Sequence, residues 1–88
     1  MTRTFTFAQE IYDFIEELIE LADSEGDSET ARLLRDALRN NFTASEIMGE
    51  LRFVLKKVSK DRGKEYLHPF RDDITGVIHA INKAFKSG

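Results

Sequence analysis

Apolar side chains in this chain recur every three or four residues from Phe7 almost to the end, and no sustained alternation with polar ones competes with that spacing. That spacing matches the α-helical turn and not the two-residue repeat of a strand, so the chain must bury its apolar surface as helices packed on helices. Phe7, Ile11, Phe14, Ile15, Leu18, Leu21 and Ala22 make the first such stripe. Ala8, Tyr12 and Ile19 widen it to about half the helix circumference, more than one neighbour requires. The stripe predicts a helix over about residues 7–23, with Thr6 and Gln9 as a capping box at its start. Ser24-Glu25-Gly26-Asp27-Ser28 then offers a C-terminal glycine and two residues able to N-cap a second helix, about 29–40, which buries Ala31, Leu34, Ala37 and Leu38.

Asn41-Phe42-Thr43 fits a glycosylation pattern, which would imply a secreted surface loop. The residues around it support another reading. With Thr43 as N-cap, Glu46 falls at the third helical position to complete a capping box. Phe42 and Ile47 then stand at the two ends of a hydrophobic staple. A third helix over about 44–61 follows, burying Ile47, Met48, Leu51, Val54, Leu55 and Val58. A fourth, about 69–86, begins with Pro69 in its first turn and carries Phe70, Ile74, Val77, Ile78, Ile81 and Phe85 on one face. Short connections make successive helices antiparallel, so the expected fold is all-α: one four-helix bundle spanning residues 1–88.

At 88 residues the chain can bury roughly 60 to 65% of its unfolded surface, enough for one thin core. It has no cysteine, which removes disulfides, thiolate metal sites and a cysteine nucleophile, and favours a reducing compartment. Gln9, Glu10 and Asp13 interrupt what would have to be the apolar core of a signal peptide, and no apolar run is long enough for a membrane span. A cytoplasmic domain is the expectation. His68 and His79 would stand about 16 Å apart on one helix, too far for joint ligation. With no serine in a nucleophile context and no phosphate-cradling glycine loop, neither an enzyme nor a cofactor is expected.

Charge divides the chain. Residues 10–29 hold nine acids and no Lys or Arg, whereas residues 32–88 carry 12 bases against 7 acids. Asp13, Glu16, Glu17 and Glu20 crowd the polar side of helix one, where like charges one turn apart cost a few tenths of a kcal/mol per pair. Either a basic protein partner relieves that repulsion, or the antiparallel hairpin lays Arg32, Arg35 and Arg39 of helix two beside the acids. The apolar side of the same helix, with Tyr12 and Ile19, offers a second use as the face of a homodimer. A third candidate surface is Phe53 with Lys56, Lys57 and Lys60 in the Arg52–Lys64 segment. Phe53 points about 160° away from Leu51, either packing on a second neighbour or standing exposed among lysines to stack on a base. An acidic chain, pI about 5.3, argues against nucleic acid as the main partner. Reading helices two and three as a helix-turn-helix would bring Glu46 and Glu50 to the phosphates, which argues against sequence-specific DNA recognition.

The core Thr43-Ala44-Ser45-Glu46-Ile47-Met48-Gly49-Glu50-Leu51-Arg52 resembles a T-x-x-E-I-M-x-x-L-R segment of short bacterial helical proteins, about ten residues in all. In size, acidity and the Tyr66-Leu67-His68-Pro69 segment before its last helix, the chain is more distantly similar to bacteriocin immunity proteins. Those show adjacent tyrosines before that proline, whereas Leu67 and His68 intervene here. The first resemblance implies a bacterial cytoplasmic origin and the second a toxin-neutralising role. Together with the charge pattern, these lead to a non-enzymatic interaction protein that meets a basic partner through Asp13, Glu16, Glu17 and Glu20, flanked by Tyr12 and Ile19.

Overall fold

The computed structural model describes residue 5, residues 8–61 and residues 63–87. Four α-helices appear in order: α1 (Ala8–Ser24), α2 (Ser28–Arg39), α3 (Ala44–Ser59) and α4 (Arg71–Ser87), with a 3₁₀ helix (Glu65–Phe70) running directly into α4. Each α-helix packs on the next one in the chain. The sense of the first pair is visible in its ion pairs. Arg35 meets Asp23 at 2.9 Å and Arg39 meets Glu16 at 3.3 Å, so rising numbers on α2 face falling numbers on α1. The bundle anticipated from the apolar spacing is the one that forms.

The core takes Phe14, Ile15, Leu18 and Ala22 from α1, Ala31, Leu34 and Ala37 from α2, and Leu51, Val54, Leu55 and Val58 from α3, with Ile74, Val77 and Ile81 of α4 closing it. Burying each of the larger side chains contributes about 1.5–3 kcal/mol, against the conformational entropy of ordering the chain. Leu67 of the 3₁₀ helix also enters the core, at 4% exposure. Phe5 packs its ring on Phe14, centroids 5.4 Å apart. The arc of α1 proves wide because the monomer itself covers it: Ile19 is 2% exposed and Tyr12 half-buried against the core.

The α1–α2 joint is a Schellman turn. The Gly26 amide donates to Asp23 O and the Asp27 amide to Ala22 O, with Gly26 in the left-handed region at φ 77°. Asp27 then N-caps α2, its side chain accepting from the Thr30 amide at 3.2 Å. At α3 the Thr43 cap forms as its sequence context implies, with Oγ1 accepting from the Glu46 amide at 3.1 Å. The return contact is different: the Thr43 hydroxyl donates to the Glu46 carboxylate at 3.0 Å.

The staple does not form. Phe42 is 97% exposed, while Ile47 packs on the core without it. Asn41 donates its side-chain amide to Ala37 O at 2.9 Å and so caps the end of α2, and Thr43 is held by its own cap. Phe42, between two tethered neighbours, faces outward. The start of the last helix also differs from expectation, because Pro69 lies inside the 3₁₀ helix and α4 proper begins at Arg71. Proline has no N–H to donate, so a tighter turn with i→i+3 bonds such as Leu67 N to Lys64 O accommodates it. The expected Thr6–Gln9 capping box and the place of Phe7 in the core lie outside the described residues.

Two glycines invite opposite outcomes. A Cβ at Gly26 would meet nothing within 4 Å, but the positive φ penalises any L side chain, so Gly26→Ala should destabilise by about 1–2 kcal/mol. Gly49 has no such φ, and a Cβ there would sit 3.9 Å from the Phe85 ring in ordinary contact. Gly49→Ala should therefore stabilise by up to about 1 kcal/mol through helix propensity alone. Urea unfolding of both variants checks this, and the same sign for both would contradict it.

Candidate functional site

The Asp27 carboxylate joins three partners from different parts of the chain. Beyond capping α2 with Oδ1, its Oδ2 accepts from the Lys64 ammonium at 2.8 Å and from the Tyr66 hydroxyl at 2.6 Å. Lys64 and Tyr66 come within reach because α3 ends in a tight turn in which Asp61 Oδ1 accepts from the Gly63 amide at 2.9 Å. Lys64 also stands 3.6 Å from Asp61. The Asp27 and Lys64 side chains are only 17% and 20% exposed. Burial works against ionisation of Asp27, but hydrogen bonds from Lys64, Tyr66 and Thr30 outweigh it and hold the carboxyl well below its ordinary value of 3.8. The hydrogen bond to Asp27 raises Lys64 against the opposing effect of burial. Burial first, and then Asp27, raises the Tyr66 phenol. The cluster thus ties the α1–α2 joint to the segment that follows α3.

Along α1, Asp13, Glu16, Glu17 and Glu20 are all exposed, as their polar helical positions imply. They are not equivalent. Arg39 holds Glu16, and Gln9 donates to Asp13 at 2.9 Å. Part of the acidic face is thus neutralised within the hairpin by the arginine stripe. Ile19, expected to flank that face, is buried within the monomer, and Tyr12 is half-buried against the core. A feature without a sequence signal lies at the other end of the helix. Glu17, Leu18, Glu20, Leu21 and Ser24 line one side of a solvent-open groove of about 460 Å³, and Phe70 from the 3₁₀ helix lines the other. Its floor is apolar and its α1 rim carries two carboxylates. The sequence assigned Phe70 to the core stripe of α4, but starting that helix at Arg71 leaves Phe70 half-buried at the groove edge.

On α3 the second candidate surface stands clear of the core. Phe53 is 65% exposed, and Lys56, Lys57 and Lys60 are exposed beside it. Lys64, part of the same basic run, is instead committed to Asp27, and Arg62 lies outside the described residues. Arg52 also turns away from that face: it donates to Asn82 at 2.8 Å and stacks over the Phe85 ring at 4.8 Å. Among the described residues no three His, Cys, Asp or Glu side chains converge to hold a metal ion, and no helix is long and apolar enough to cross a membrane. Comparison with models of known protein families, with curated proteins and with solved structures finds no match.

The Asp27 cluster has a defined pH window. A depressed carboxyl pKa contributes stability above the unfolded value near 3.8 that is lost as pH falls. Raised Lys64 and Tyr66 contribute stability below about 10 that is lost as pH rises. Asp27→Asn keeps a capping side chain but removes the charge, so it should cost about 1.5–3 kcal/mol at pH 7 and flatten the stability profile below about pH 5. Denaturant melts across pH test this. A variant as acid-sensitive as the wild type would contradict the assignment.

Proposed function

We propose that this chain is a non-enzymatic protein-binding domain that receives a basic, amphipathic segment of its partner in the groove between α1 and Phe70. One observation carries the reading: the half-buried apolar side chains of Leu21 and Phe70, lying over the buried Leu18, are bordered by the carboxylates of Glu17 and Glu20. A helix with leucine-like residues on one face and lysine or arginine at its margins complements that arrangement in shape and in sign. Support also comes from what the hairpin leaves over. Glu20 has no ionic or hydrogen-bonded partner among the described residues, although Asp23 and Glu16 on the same helix are paired with arginines. The wider acidic surface of residues 10–29 would speed the encounter with a basic protein. Neutralising or regulating such a protein, a toxin or nuclease among them, in a bacterial cytoplasm is the biological role that suits this chemistry.

A short synthetic peptide of lysine and leucine with helical amphipathicity provides the probe. Titrated into the isotopically labelled protein, it should shift the amide resonances of Glu17, Leu21 and Phe70. Glu17→Lys combined with Glu20→Lys should weaken binding by about tenfold, or about 1.4 kcal/mol. Shifts elsewhere, or affinity unchanged in the folded double variant, would overturn the reading.

A further inference from the structure

Five exposed positions of α3 read the same in both directions with the charges inverted, Lys57 opposite Gly49 being the departure from the pattern. Taking Phe53 as the centre, Glu50 lies three residues before it and Lys56 three after; Glu46 lies seven before and Lys60 seven after. These positions fall on one side of the helix, at successive three- and four-residue steps. All of them are exposed, and Lys60, the C-cap, still has right-handed helical dihedrals. We infer that α3 is the contact face of a symmetric, antiparallel dimer with a second copy of this chain, centred on Phe53.

A two-fold axis through Phe53 pairs each residue with its mirror in the numbering. Glu50 then faces Lys56 of the other copy, about 4.5 Å along the axis from the centre, and Glu46 faces Lys60 at about 10.5 Å. Four ion pairs form around two stacked phenylalanines. Within one copy the same charges repel: Glu46 and Glu50 are one turn apart, as are Lys56 and Lys60, and no ion pair joins Glu50, Lys56 or Lys60 to another described residue. The helix dipole accounts for acids early and bases late in α3, but not for a 65% exposed aromatic between them. Gly49, one turn before Phe53, is half-buried beside Phe85 of the same chain, so the contact rests on Phe53 and the charged positions around it. The face is small, so the dimer is a weak one, of about micromolar affinity or poorer.

The test uses two single substitutions, Glu50→Lys and Lys56→Glu, both at exposed positions, with circular dichroism confirming that each folds. Sedimentation equilibrium of the wild type at rising concentration should show the mass climbing from 10.1 kDa toward twice that value. Each charge variant alone should dimerise at least about tenfold more weakly, because like charges now face each other across the axis. Mixed in equal amounts they should recover the wild-type affinity, since every pair across the heterodimer is again opposite in sign. Phe53→Ala should weaken all of these by about tenfold or more. A wild type that remains at 10.1 kDa at millimolar concentration overturns the inference, as does dimerisation indifferent to both charge variants. Retention of single-stranded RNA by a monomer, lost with Phe53→Ala, would overturn it in favour of nucleic acid as the occupant.

Discussion

The carboxylate of Asp27 is the point at which distant parts of this chain meet. Its Oδ1 ends the α1–α2 turn by capping α2, and its Oδ2 receives Lys64 and Tyr66, which follow it by 37 and 39 residues. The helices otherwise pack mainly on their neighbours in sequence, α1 on α2, α2 on α3 and α3 on α4. Such a serial arrangement leaves the segment before α4 free to swing unless something anchors it. Leu67, buried in the core, and the Asp27 cluster supply that anchor, one by apolar burial and the other by charge-assisted hydrogen bonds. Because Phe70 belongs to the same 3₁₀ helix as Tyr66, fixing Tyr66 also fixes one wall of the α1 groove.

The lopsided charge of the chain resolves into three separate arrangements. Asp23 and Glu16 are taken up by Arg35 and Arg39 across the hairpin, in exposed pairs that contribute only about 0–1 kcal/mol each. Glu17 and Glu20 border the groove, where an incoming cation would lose some of its water and the attraction would count for more. The bases of α3 surround an exposed phenylalanine on another helix. The acid-rimmed groove on α1 and the exposed α3 face around Phe53 are thus distinct surfaces of one small domain.

What could be read from the sequence followed the range of the forces involved. Helices, their buried stripes and the Thr43 cap depend on residues within a turn or two of each other, and their spacing announces them. The pairing of Arg35 and Arg39 with α1 acids was legible too, because a short turn dictates an antiparallel hairpin. Asp27 was recognisable as part of a helix-capping turn, but nothing local in its surroundings points to Lys64 or Tyr66. Phe42 misled for the converse reason: the staple requires the chain to fold back at one residue, and Asn41 bonding to Ala37 O turns that residue outward. Ile19 sits at the margin of a wide apolar arc, where periodicity alone does not distinguish a partner face from a second internal neighbour. The groove depends on where α4 begins, and Pro69 shifted that boundary by about half a turn.

That Asp27 holds the 3₁₀ helix against the α1–α2 joint is the claim on which the groove rests, and native-state amide hydrogen exchange tests it most directly. In Asp27→Asn, the Leu67 amide should lose protection by about tenfold or more relative to wild type, while amides in the middle of α1 and α2 should change only by the global loss of stability. A uniform change across all helices would mean that Asp27 stabilises the fold without positioning this segment. Unchanged protection at Leu67 would contradict the account outright.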